Sequence, residues 1–269
     1  MIWILLGFFL ARLELVVTAK HYRNRYAGIG AIGWTINKTA PAPMRYRVLV
    51  PWIIKAINGR LDTVLAYQII QWLSISFALW AVSIAWSPSV AILTACMIPI
   101  TYQFDYWNWP IELGCLALGM TGMFAPALIA GILLALSKET APIVAVAYWS
   151  VTKDWGGSIA IMATIAAVMI AVRLIQGRAE LYCERWMLWQ NLRELLKWRD
   201  QKPVIFGSQI ATVIVSSMIL LMAISKLGFI MIPPLLIFVA GWILAKSDEI
   251  RIFVSTFPWV AAWLISLMS

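Results

Sequence analysis

The sequence predicts an all-α fold, a polytopic helical membrane protein, and three observations carry that reading. Hydrophobic residues make up 62% of the 269 residues and charged ones 12%, against about 25% charged in an ordinary soluble domain. Apolar runs recur along the whole chain, at a mean hydropathy of +0.85, without the alternating segments of about ten residues that a membrane barrel needs. The 16 Trp and 8 Tyr suit a protein with two water–lipid interfaces.

Ten apolar segments are expected as helices, at 2–19, 63–86, 89–102, 108–121, 124–136, 141–152, 157–172, 204–224, 227–245 and 252–268. Several are shorter than the ~20 residues of a full crossing, so roughly 8–10 transmembrane or re-entrant helices are expected in one integral domain, 1–269. The first starts at Ile2 without a basic leader and carries Arg12 and Glu14, which reads as a retained span rather than a cleaved signal. Ser87-Pro88 separates the second from the third. Pro110 opens the fourth as a first-turn proline, or else lies inside a helix that also carries Asp105. Ser137-Lys138-Glu139-Thr140 divides the fifth from the sixth, and Pro233-Pro234 interrupts the ninth.

Two polar stretches are expected as interfacial helices. One, at about 43–58, is too short to span and holds Arg45, Arg47 and Lys55. The other, 178–200, has Leu181, Leu188, Trp189, Leu192, Leu195 and Leu196 at helical spacing with charges between them. That is an amphipathic helix lying on a membrane.

Composition also excludes chemistry. His21 is the only histidine, and Cys96, Cys115 and Cys183 lie far apart. Histidine-based metal sites, zinc spacings, Ser-His-Asp catalysis and a disulfide framework are therefore not expected. No glycine-rich nucleotide loop occurs. The net charge of +9 points to anionic lipid head groups rather than nucleic acid in a chain this apolar.

Threading the ten segments back and forth puts the basic residues on one face. Of 21 Lys/Arg, only Arg12, Lys153 and Lys226 lie elsewhere. That face also receives Asp105 and the Lys138-Glu139 pair. A charge at the bilayer centre costs roughly 2.5–3.5 kcal/mol, so the pair marks either a turn out of the hydrocarbon or a polar site held within it. Asp105 and Glu112 are candidate bases, since a carboxylate in a partly dry pocket accepts a proton or binds a divalent metal. Arg45, Arg47, Lys138 and Arg178 are candidate phosphate ligands.

The order Arg45-Tyr46-Arg47-Val48-Leu49-Val50-Pro51, Phe104-Asp105-Tyr106, Ser137-Lys138-Glu139-Thr140 and Glu249-Ile250-Arg251 before Phe257-Pro258 resembles that of bacterial multispanning proteins of the GT-C class of glycosyltransferases. The resemblance implies an enzyme of the bacterial inner membrane that moves a sugar from a polyprenyl-phosphate donor to a lipid, glycan or protein acceptor. By it, Asp105 is the base with Glu112 second. Arg45, Arg47 and Lys138 hold the phosphate, and Glu139 orients Lys138 or binds a sugar hydroxyl. Any divalent metal (Mg or Mn) falls to Asp105. Two features depart from the class. Residues 20–60 contain no Asp or Glu, and the positive-inside rule makes the basic face cytoplasmic, whereas the class works outside. A carrier or flippase for an anionic lipid or solute, and a structural subunit of a membrane complex, are the alternatives.

Overall fold

The computed structural model describes residues 1–21, 35–40, 46–57, 63–101, 108–178, 193, 203–225, 228–244 and 250–268. Among them every regular element is helical, and there is no strand. In chain order the helices are α1 (Ile2–His21), α2 (Leu49–Ile57), α3 (Thr63–Ala85), α4 (Pro88–Met97), α5 (Asn108–Met120), α6 (Phe124–Ala135), α7 (Pro142–Thr152), α8 (Trp155–Gln176), α9 (Pro203–Ser225), α10 (Ile232–Leu244) and α11 (Phe257–Met268). Short 3-10 turns occupy Ile98–Thr101, Phe229–Met231 and Ile250–Thr256.

Prolines and polar caps set these boundaries. Ser87 Oγ accepts from Val90 N at 3.3 Å ahead of Pro88, satisfying one of the orphan amides of the first turn. Pro142 starts α7, and Lys153, left-handed at φ 60°, ends it. Asp154 then caps α8, accepting from Gly157 N at 3.0 Å and from Tyr148 Oη at 2.9 Å. This cap starts α8 at Trp155, two residues ahead of the expected segment, and the helix runs on to Gln176 rather than 172. The third segment leaves α geometry at Ile98, just before Pro99, and the tenth becomes α-helical only at Phe257, after a 3-10 turn.

Length divides the helices. Among the described residues, Leu65–Ala85 of α3 and Trp155–Gln176 of α8 are the two stretches long and apolar enough to cross a membrane. Helices α4, α5, α6, α7, α10 and α11 have 10 to 13 residues. At a rise of about 1.5 Å per residue that is roughly 15–20 Å, well under the ~30 Å hydrocarbon layer. Of the expected eight to ten crossings, α3 and α8 thus combine the length and the apolar character of a full span, α1 and α9 reach 20 and 23 residues, and the others are half-length.

The half-length helices form the core. Every residue of α5 is buried, enclosed by α3, α6, α7 and the 250–256 turn. Helix α1 lies close on α3, where a Cβ on Gly7 would come within 2.8 Å of Ser76 N, so only glycine admits that approach. Helix α8 packs on α6 and α7 and turns Ile159, Ile170, Leu174 and Ile175 outward. At the α7–α8 junction, Lys153 Nζ stands 3.9 Å from the Phe229 ring centroid, and the Trp149 ring lies 4.7 Å from that of Trp155.

Candidate functional site

The opposite end of α7 is the turn 137–140. Leu136 closes α6, and Lys138 N donates to Leu134 O at 2.7 Å. Ser137 Oγ donates back to Leu133 O at 2.9 Å, and Ile143 N donates to Thr140 O at 2.9 Å as α7 begins. The start of α2 is tied to the same turn, with Leu49 N donating to Leu136 O at 2.9 Å. Phe124–Val151 is therefore two helices joined by a turn.

This turn sends neighbouring side chains to different partners. Lys138 Nζ donates to one carboxylate oxygen of Glu112, and Thr140 Oγ1 donates to the other. Glu112 is 0% exposed. Glu139 instead receives Arg47 through two bonds, Nη2 at 2.9 Å and Nε at 3.2 Å. Glu139 therefore orients Arg47, whereas the resemblance gave it either Lys138 or a sugar hydroxyl as its partner. Glu112, read as a second base, has both oxygens engaged inside the core. It acts on the turn by holding Lys138, since stripping the partner from a buried charge costs several kcal/mol.

Between the turn and α8 lies a small open depression. Tyr46, Lys138, Glu139 and Arg173 form its polar wall, with Ala135, Met169 and Val172 behind them. The Arg173 guanidinium lies 5.6 Å from the centroid of the Tyr46 ring, within cation–π range. Tyr46 Oη donates to Gly177 O at 3.4 Å, and Lys38 Nζ donates to Ile175 O at 2.7 Å. These two bonds satisfy carbonyls at the end of α8 that have no helical partner. Gly177, at φ +72° and ψ −174°, holds a backbone conformation open essentially to glycine alone.

The predicted residues divide into three groups. Arg47, Glu112 and the adjacent Lys138-Glu139, from three distant points in the chain, meet at this end of the helices. Arg178 is exposed just past α8, at the same end. Asp105, Arg45 and nearly all of the predicted 178–200 helix lie outside the described residues. Among the described residues helix α5 runs over Asn108–Met120 and includes Pro110; Asp105, which bears on the two placements that the sequence allowed, lies outside them. Among the described residues no cluster of three or more His, Cys, Asp or Glu exists to hold a metal, and Asp105, the expected metal ligand, lies outside them.

Lys38 and Tyr46 were not among the expected site residues, and Arg173 stood only as a possible exception, with Arg178, to the interfacial reading of the 178–200 stretch. Arg173 had one signal, a basic residue one turn before a glycine that ends an apolar helix. Away from this cluster, Glu14 is buried in α1 and accepts from Gln71 Nε2 of α3 at 2.8 Å. No protein family matches the chain, and searches of curated proteins and of solved structures likewise give no match.

Proposed function

We propose that this is a multi-pass membrane transferase, similar to the GT-C glycosyltransferases, that moves a sugar from a polyprenyl phosphate to a lipid, glycan or protein acceptor. The observation that carries this reading is the convergence of Arg47, Glu112, Lys138 and Glu139 beside a depression whose rim bears Arg173. The outward apolar face of α8 supports the membrane half of the reading. Leu174 is 79% exposed and Ile159 63%, and such side chains gain roughly 25 cal/mol per Å² when removed from water. The Trp149, Trp155 and Phe229 rings around Lys153 suit the opposite lipid interface.

In the proposed reaction the acceptor hydroxyl oxygen forms the new bond to the anomeric carbon of the sugar. The bond from that carbon to the phosphate oxygen breaks, and its electron pair leaves with polyprenyl phosphate. The hydroxyl proton passes to Asp105, the remaining candidate base once Glu112 is committed to Lys138 and Thr140. Fixed positive charge stabilises the departing phosphate.

Purified protein in proteoliposomes, given a panel of radiolabelled polyprenyl-phosphate hexoses and acceptor lipids, should release polyprenyl phosphate. Asp105→Asn should slow release by about 100-fold or more, the usual weight of a positioned base. An unchanged rate in that variant removes Asp105 from the site. Uptake of intact donor without any covalent product identifies a carrier instead.

A further inference from the structure

Of the cations at and beside the depression, two are already neutralised. Lys138 is held by Glu112, and Arg47 is held by both oxygens of Glu139. Arg173 differs: among the described residues no carboxylate lies within ion-pair reach of it, and its recorded contact is the Tyr46 ring. The carbonyls of Ile175 and Gly177, which would compete for a guanidinium at a helix C-terminus, are taken by Lys38 and Tyr46. Among the described residues, Arg173 at the rim of the depression thus has no carboxylate counter-charge, and its planar group is pre-positioned by an aromatic face.

Depth and surroundings narrow the ligand. Met169 lies fourteen residues along α8 from Trp155, about 21 Å at the helical rise, and the helix then continues for roughly another 10 Å. In a layer spanned by α8 the depression sits within the outer part, at the depth of head groups and their first methylenes. Ile170 and Leu174, on either side of Arg173, are 57% and 79% exposed. A phosphate at Arg173 thus has an apolar wall beside it for a hydrocarbon chain.

We infer that Arg173, seated on Tyr46 and facing Lys138, is the residue that captures the phosphate of an amphiphilic ligand, while Arg47, Glu112 and Glu139 form the frame around it. This deepens the transferase reading by naming the anchor of its anionic substrate, and it rests on that reading only for the ligand's role. The guanidinium fork recognises phosphate oxygens by charge-assisted hydrogen bonds, whether the phosphate belongs to a lipid or is free. The apolar wall favours the lipid.

The test is binding, measured by microscale thermophoresis on the full chain in a neutral detergent. Geranyl phosphate and inorganic phosphate serve as probes. Geranyl phosphate should bind the wild type, and R173Q should weaken it about tenfold or more. R173K should fall between the two, and Tyr46→Leu should weaken binding about two- to fivefold. All variants should match wild type in far-UV circular dichroism and in elution on gel filtration. Arg173 sits on an exposed rim, so R173Q leaves the buried ion pairs intact. Inorganic phosphate should bind at least about tenfold more weakly than geranyl phosphate. Wild-type affinity in R173Q overturns the assignment. Equal affinity for the two probes overturns the lipid source and leaves a free-phosphate site. Absence of sugar transfer with Arg173-dependent binding intact removes the transferase reading and keeps this one.

Discussion

Glu112 and Lys138 illustrate how a charge can be read two ways until its partner is known. In the sequence each is an ionisable group in an apolar run and so a candidate for chemistry. In the fold each is the other's counter-charge, with Glu112 fully enclosed and Lys138 nearly so. Removing one member leaves the other buried alone, at a typical cost of about 3–5 kcal/mol, whereas removing both restores much of the loss. Glu112→Gln and Lys138→Met should each lower stability by about that amount, and the double variant should be markedly more stable than the sum of the two predicts. Unfolding in mixed micelles titrated with dodecyl sulfate, followed by near-UV circular dichroism, measures all three. Strict additivity would mean that the two side chains do not act as a pair.

At the scale of elements, caps decide where each helix starts and stops. Asp154 closes the α7–α8 turn: the Gly157 amide and then the Tyr148 hydroxyl hold its carboxyl below the usual carboxylate range. A carboxyl depressed in the fold contributes stability that is fully present above its unfolded value and is lost as pH falls through the folded one. The loss therefore begins below the ordinary carboxyl value of 3.8 and is complete once pH passes below the folded value. Asp154→Asn keeps a capping oxygen but cannot titrate, so its stability should vary less with pH in that acidic window. Acid unfolding curves of the two proteins, recorded between neutrality and the acid limb, make the comparison. Parallel curves would show that the cap carries no linked proton. The other end of α8 has a matching device, where Gly177 turns the chain and leaves its carbonyl to Tyr46.

For the whole molecule the open quantity is sidedness. Lys38, Arg47, Lys138, Arg173 and Arg178 share one end of the helices, and Lys153 lies at the other. The transferase reading puts the basic end outside the cytoplasm, against the charge rule for short loops. Lys38 is exposed and is a suitable reporter. In a Cys96→Ser, Cys183→Ser background, Lys38→Cys should react with a membrane-impermeant maleimide added to intact spheroplasts. Labelling only after permeabilisation assigns the cluster to the cytoplasmic side and sinks an outward-facing glycosyltransferase.

Much of the helical pattern was legible from one-dimensional signals. Hydrophobic runs located the helices, and Ser87-Pro88 marked the start of α4, because capping and proline geometry are local effects; the Asp154 cap was not read, and it starts α8 two residues earlier than the apolar run. Lengths were less legible. Residues 89–102 and 252–268 looked like continuous helices, yet a 3-10 turn takes part of each, since apolar character persists through a turn that tertiary packing imposes. The site was half legible. Arg47, Glu112, Lys138 and Glu139 stood out as charges among apolar neighbours, which is a property of the chain. Their pairing was not legible: Glu139 lies beside Lys138 in the chain but bonds Arg47, 92 residues away, and Lys138 reaches Glu112 instead. Adjacent side chains at a helix end diverge, and only packing sets which distant group each one meets. The same packing pairs Lys138 and Arg47 with carboxylates and, among the described residues, sets Arg173 on a tyrosine with no carboxylate beside it, a distinction that depends on distances in space and not on order along the chain.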